Sequence, residues 1–553
     1  MKQNRLKVLA IFLGLCIASA LPFLVSALDP TELTVHGPIA IYDDAMFHSL
    51  ATSEGWDGSG TEEFPYIIED LWITEESDTN PIHIENTRVY FIIRDCLLEG
   101  DSFGISVDGI YLLNVQNGSI ENNEVVGCLT GISLENSHWN KISGNELYGN
   151  EGGISAWDSK HNELVDNIIY SNGSGIVLWT ESDYNEILGN QLSTNRDEGI
   201  ALWWSDHNNV ANNRVTGSNH GIILYMDNHH NDISWNEIYE NVLYGITLEL
   251  EHNTDNSITY NAIYENGLGI GLRGESNENL IAYNTITDIE EMGISLEDSS
   301  ENEILENSIA QCALGIKLDY SSNNAILQNE ISTTRFEGLS PVMSSGSQSI
   351  VFNENYVTGT WIIGVYPSDG SDAWTIEFNT FGKTSAGDVI GISSRWGAIT
   401  IDMSDECTIK NNDFYDVQGR FGAIWLLGND SMIVNNDYTQ SNLPGWGETV
   451  FDSPGCVVIW YDMFGWYDYA ESQGNFVVEG NSPAGTSFPL GTSLCQQVMD
   501  LVREMVGGSP NTIPGYPVCH RNRNWDEIVE DISSKLEDHR SPREQILGVQ
   551  IDG

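Results

Sequence analysis

A glycine followed by isoleucine stands at Gly131, Gly153, Gly175, Gly199, Gly221, Gly245, Gly269, Gly293 and Gly315, successive copies 22 or 24 residues apart. Interleaved with it runs Asn-x-(Ile/Leu/Val)-x-x-Asn. Its first clear copy is Asn140-Lys141-Ile142-Ser143-Gly144-Asn145. The paired asparagines continue as Asn162/Asn167, Asn185/Asn190, Asn208/Asn213, Asn231/Asn236, Asn256/Asn261, Asn279/Asn284, Asn302/Asn307 and Asn324/Asn329. Two signals on one period mark a unit that cannot bury its apolar residues alone and must stack on copies of itself. A compact body of 553 residues would divide into about three domains, whereas a stack grows by adding slices of core.

The pieces of each period decide what stacks. Gly-Ile-x-Leu alternates apolar residues as a strand does, and no stretch inside the repeat holds a 3.6-residue stripe beyond a turn or two. Three short strands and three bends fit one period at about 3.3 Å per residue. Asparagine and glycine suit the bends because they tolerate left-handed backbone. Coils spaced at about 4.8 Å would align equivalent asparagines into hydrogen-bonded ladders and point the isoleucines inward. The fold expected is all-β: a right-handed parallel β-helix of about 14–15 coils, with an N-terminal cap and a small helical C-terminal cap.

Weaker coils extend the array. Ile120 with Asn123 lies upstream; Ile350/Asn353, Ile376/Asn379, Ile409/Asn412, Ile433/Asn436 and Val478/Asn481 follow, with inserted loops near 380–405 and 437–470. An open end of such a stack exposes unpaired strand and core, so both ends need covers. Residues 38–72 read as the N-terminal cap and first strand: Asp43 or Asp44 caps a short helix from Ala45 to Ala51, and Pro65-Tyr66-Ile67-Ile68 starts the strand. The coils then occupy 73–483. Residues 484–553 form the C-terminal helical cap and tail, with helical spacing from Ser493 to Val506 and a second helix over Trp525 to Leu536.

Residues 1–27 read as a signal peptide. Lys2, Arg5 and Lys7 precede an apolar run from Val8 to Val25, and Val25-Ser26-Ala27 supplies small residues for cleavage. The expected location is secreted or cell-surface; the membrane becomes a partner only if this run is retained as an anchor. Outside it lie seven cysteines, of which Cys495 and Cys519 are the preferred disulfide, while Cys128 and Cys312 read as small core residues. The formal net charge of −59, from 81 acidic against 22 basic residues, sets the chain against nucleic acid and anionic lipid.

The alternation of Asn-x-Ile-x-x-Asn with Gly-Ile resembles the repeats of NosD-like and carbohydrate-binding/sugar-hydrolase (CASH) domains over roughly residues 38–483. Gly58-Ser59-Gly60-Thr61 followed by Pro65-Tyr66-Ile67-Ile68 looks like the entry segment of archaeal members. The resemblance implies extracellular placement and polysaccharide binding or processing. It also implies, as a lesser reading, an accessory role in copper-site assembly. Polygalacturonase-like enzymes on this fold carry Asn-Thr-Asp, Asp-Asp, Gly-His-Gly and Arg-Ile-Lys in order. Asn253-Thr254-Asp255 matches the first triplet and the other three do not follow.

Two columns hold the candidate chemistry. The fourth residue after each repeated glycine gives Glu135, then Trp157, Trp179, Trp203 and Tyr225 on consecutive coils, then Glu249, Arg273, Glu297 and Asp319, all pointing outward by strand alternation. Sugar rings are expected to lie flat on this strip, and alanine at Trp179 and Trp203 to abolish glycan retention with thermal stability unchanged. The residue before the first asparagine of the motif gives Trp139, His161, Tyr184, His207 and His230, near Asp206 and Asp227, and then Asp255, Glu278 and Glu301. His161, His207 and His230 with those carboxylates could supply acid–base chemistry or a metal site, and Asp206 with Asp227 could hold calcium. A turn column tolerating any polar residue explains the same positions. The function expected is contact with extracellular polysaccharide or a cell-surface glycan through the aromatic strip. Its alternatives are a polysaccharide lyase or glycoside hydrolase, and a structural or adhesive surface protein. Sequons stand at Asn117, Asn172 and Asn429.

Overall fold

Each period closes one coil of three parallel strands. In the coil that starts at Thr130, a long strand Thr130–Glu135 is followed by Lys141–Ser143 and Glu146–Tyr148, and the next coil reopens at Gly152. The computed structural model describes residues 28–479, apart from 75–78, 101–106, 333–340, 360–362, 383–396, 403, 416–423, 428–430, 441–447, 452–455, 463–464, 468–469 and 472–476. The signal segment, the Cys495–Cys519 pairing, the C-terminal helices, Asn429 and Asn481 lie outside the described residues. The chain is a right-handed parallel β-helix, and its third face is a 17-stranded parallel sheet.

The registers put like residues on like. Ile132, Ile154, Ile176, Ile200, Ile222, Ile246, Ile270, Ile294 and Ile316 pair in sequence along the long-strand face, each 0% exposed. The glycine before each isoleucine is there because the coils approach closely. A Cβ on Gly199 would stand 2.2 Å from Val215 Cγ1 and 2.6 Å from the Gly221 carbonyl oxygen. A backbone obstruction cannot rotate away, so Gly199→Ala is expected to destabilise the fold by about 2 kcal/mol. Chemical denaturation measures this, and a neutral result would mean that the coils can spread.

The second asparagine of the motif forms a ladder from Asn123 through Asn145, Asn167, Asn190, Asn213, Asn236, Asn261, Asn284, Asn307, Asn329, Asn355, Asn379 and Asn412 to Asn436. Each rung satisfies the next. Asn145 N–H donates to Asn167 Oδ1 at 3.0 Å, while Asn145 Nδ2 donates to the Ile120 carbonyl at 2.9 Å. These amides are buried and carry the corners, where an unpaired backbone group would be costly. The first asparagine forms a parallel ladder from Asn140 to Asn324. A third ladder, which the two sequence motifs do not mark, links Asn150, Asn172 and Asn195 and resumes with Ser218, Asn241 and Asn266. Asn172 is 3% exposed within it, so the folded stack has no room for a glycan at that sequon.

Register corrects one weak coil. The inward residue after Asn324 and Asn329 is Phe352, with Ile350 in the first asparagine's place and Asn355, not Asn353, on the ladder. At the N-terminal end two strands, Thr34–His36 and Ile39–Ile41, join the stack ahead of the helix, so Tyr66–Glu69 is not the first strand. The helix runs Asp44–Glu54, capped by Asp43, whose carboxylate accepts from Met46 N–H at 2.7 Å. Its Phe47 is buried against Tyr66, Phe91 and Trp56, which seals the end of the core. Cys128 and Cys312 are buried, as expected. Beyond Glu448–Phe451 the pairing turns antiparallel, with Cys456–Asp462 returning along it. No helix among the described residues is long and apolar enough to cross a membrane.

Candidate functional site

The corner column turns out to be a stack of rings. Trp139, His161, Tyr184, His207 and His230 each take a left-handed backbone conformation. Their rings lie nearly parallel, with centroids 4.8–5.3 Å apart. Their faces therefore meet one another. The neighbouring carboxylates serve the backbone: Asp183 accepts from Asp206 N–H at 2.9 Å and Asp206 from His229 N–H at 2.7 Å. Lys160 also pairs with Asp183, at 2.8 Å. Asp227 is exposed at a left-handed turn, and its N–H donates to the Glu251 carbonyl. Among the described residues no group of three or more His, Cys, Asp or Glu is placed to hold a metal ion.

The outer side of the long-strand face is organised differently. Trp157, Trp179, Trp203 and Tyr225 are in register, with successive centroids 6.0, 5.1 and 4.1 Å apart and planes 22–26° off parallel. Two residues before Trp179, Trp203 and Tyr225, the outward-pointing Val177, Ala201 and Ile223 are nonetheless 7%, 0% and 0% exposed. These three form a second apolar cluster outside the main core, with Trp179, Trp203 and Tyr225 packed over it. Two expectations are corrected by this. The inner ring faces are taken by neighbouring rings, so a sugar cannot lie flat on every rung. Trp179 and Trp203 also cover apolar surface, so removing them would cost stability. Trp157 is different: it is 51% exposed, outside that cluster, and its register partner on the open side is Glu135 rather than a ring.

A further column, which residue types alone could not reveal, runs along the same face. Glu198, His220 and Tyr244 stand in register just before the repeated glycines. The His220 and Tyr244 rings stack at 5.5 Å. Arg273, the fourth residue after Gly269, lies 5.3 Å over the Tyr244 ring, so the two columns meet on the coils that follow Ile223. Burial pushes the Glu198 carboxyl up, although the Ser174 hydroxyl donating to it at 2.7 Å pulls the other way. Burial likewise holds His220 below its ordinary range against the pull of Glu249, and its Nδ1 finds no partner among the described residues. A half-buried acid and a half-buried base, both biased toward neutrality beside an aromatic strip, fit the pattern of a site more than that of a scaffold.

A carboxyl with a raised folded pKa stabilises the fold when protonated, below its ordinary value of about 4.3, and loses that contribution as pH rises through the folded value. Glu198→Gln is therefore expected to raise the unfolding midpoint at pH 7, by a margin that shrinks toward pH 4. Thermal unfolding across that range reads it, and a glutamine that destabilises at pH 7 would overturn burial as the dominant influence.

Sequence comparison matches residues 67–198 to the family described as periplasmic copper-binding protein (NosD). Residues 172–267 and 220–381 match the right handed beta helix region. No curated protein matches the chain. Among solved structures the chain is similar to the periplasmic alginate epimerase AlgG at 12% identity, covering 76% of this chain and 86% of that one with a TM-score of 0.25. It is similar to the Azotobacter vinelandii mannuronan C-5 epimerase AlgE4 A-module at 15% identity, covering 64% and 94% with a TM-score of 0.34. It is also similar to the Dettilon tailspike protein at 15% identity, covering 51% and 69% with a TM-score of 0.35.

Proposed function

We propose that the chain is an exported β-helix that binds polysaccharide across the outer long-strand face between residues 152 and 249. The observation that carries this reading is the aromatic strip packed over a seam of outward apolar residues, with Glu198, His220 and Tyr244 in register on the same face. Sugar rings have apolar C–H faces and polar rims. Trp157 offers them an open ring face, the edges of Trp179, Trp203 and Tyr225 continue the apolar track, and Glu198 and His220 offer hydrogen bonds beside it. With a net charge of −59 the protein repels polyanions, so a neutral glycan is the favoured ligand, and calcium would be needed to bridge an acidic one. Affinity electrophoresis through neutral and acidic glycans, with and without calcium, tests this. Retardation by a neutral glycan is the expected result, and unretarded migration through the whole panel would remove the reading.

Glu198 and His220 favour a second reading, cleavage of the bound chain by a general acid and base on adjacent rungs. A reducing-sugar and unsaturated-product assay over the same panel separates the two: product formation that disappears in Glu198→Gln supports catalysis, and its absence leaves binding alone.

A further inference from the structure

The first described residue makes a contact that the coil-forming repeats do not call for. Leu28 N–H donates to Glu124 Oε2 at 3.1 Å, across 96 residues of sequence. From Leu28 the chain turns at Asp29, which accepts from Thr31 N–H at 2.9 Å, and enters the strand Thr34–His36. That strand pairs with Leu71–Thr74, which pairs with Leu97–Glu99, which pairs with Glu124–Val126. Residues 28–33 thus run back across three rungs to reach the end of the stack, and Leu28 is pinned at the far end of that crossing.

Glu124 is an unusual anchor. It is 8% exposed, its other oxygen accepts from the Tyr148 hydroxyl at 2.6 Å, and no ion pair among the described residues reaches it. A buried carboxylate is most strongly held by a cation, and the partners found for this one are two neutral donors. The missing charge would arise if the chain began at this nitrogen. The sequence places a basic start, an apolar run and the small residues Val25-Ser26-Ala27 immediately before it.

We propose that export processing cuts the bond before Leu28 and that the new α-ammonium group of Leu28 is seated on Glu124, locking the N-terminal strand onto the stack. The step is a hydrolysis. Water's oxygen adds to the Ala27 carbonyl carbon, the C–N bond breaks, Ala27 leaves as a carboxylate, and the Leu28 nitrogen departs as an amine that is protonated at neutral pH. The signal segment's removal thereby supplies the cation that Glu124 lacks.

The test uses the full chain exported with its own leader. Intact mass of the recovered protein is expected to fit a first residue of Leu28; a retained leader, or a start elsewhere, overturns the proposal. Hydrogen exchange of the 34–36 amides then reads the seat. Glu124→Gln is expected to speed it roughly tenfold in the processed protein, and by no more than about twofold in an Ala27→Pro background that blocks cleavage. Equal effects in both backgrounds would show that Glu124 holds only an amide, and would overturn the seat while leaving the cleavage site standing.

Discussion

Asn213→Ala is expected to cost about 3–4 kcal/mol of stability, among the largest effects available to any single polar substitution in this chain. The side chain is 1% exposed. Its Oδ1 accepts from Asn190 N–H at 2.9 Å and from Asn190 Nδ2 at 3.0 Å, while its Nδ2 donates to the Ile187 carbonyl at 2.8 Å and to Asn236 Oδ1 at 3.0 Å. Alanine deletes all four bonds and strands the buried Asn190 N–H where no water can replace the lost partner. The neighbouring Asn212 is the control. It is exposed at φ 57°, so Asn212→Gly relieves a left-handed non-glycine residue and should change stability by less than about 0.5 kcal/mol. Each coil touches only its neighbours, so the damage from Asn213→Ala should be local: hydrogen exchange should accelerate first in the coils carrying Asn190 and Asn236. A loss below about 1 kcal/mol would mean that the ladder is decoration on a stack held by its isoleucines alone.

The same ladder explains why the fold was legible in sequence and the site only in part. Asn213 and Ile222 sit where every coil demands the same residue type, because a corner with buried backbone needs an amide and a core row needs a β-branched side chain. Identity repeats, and the period shows. The third ladder escaped because Ser218 interrupts it and its distance to the repeated glycine shifts between three residues, at Asn150 and Asn172, and four, at Asn195. Asn353 and Asn355 both fit the spacing, two residues apart, and only the inward turn of Phe352 decides between them. Glu198, His220 and Tyr244 share a column but no chemistry, so nothing in their letters groups them. Their grouping comes from registers in which Glu198 pairs with His220 and His220 with Tyr244. Ring orientation is the remaining gap. Alternation correctly sends Trp179 and Trp203 outward, but whether such rings splay toward solvent or stack on each other depends on coil spacing and on the seam beneath them.

That distinction sets the second large effect. Trp157→Ala is expected to weaken glycan affinity about ten- to hundredfold with the unfolding midpoint unchanged. Its ring is 51% exposed, touches another ring only on the Trp179 side at 6.0 Å, and covers none of the outer apolar cluster. Trp203→Ala should behave otherwise. That ring stacks between Trp179 at 5.1 Å and Tyr225 at 4.1 Å and packs over Val177, Ala201 and Ile223, so its loss should lower both affinity and stability. Isothermal titration with the glycan that retards the wild type, paired with thermal unfolding of each variant, separates the two roles. A pure binding defect at Trp157 and a mixed defect at Trp203 is the signature of a strip with one open face and a structural spine. If Trp157→Ala binds as tightly as the wild type, the open face is not where the sugar sits, and the strip is left as a packing device that closes the outer seam.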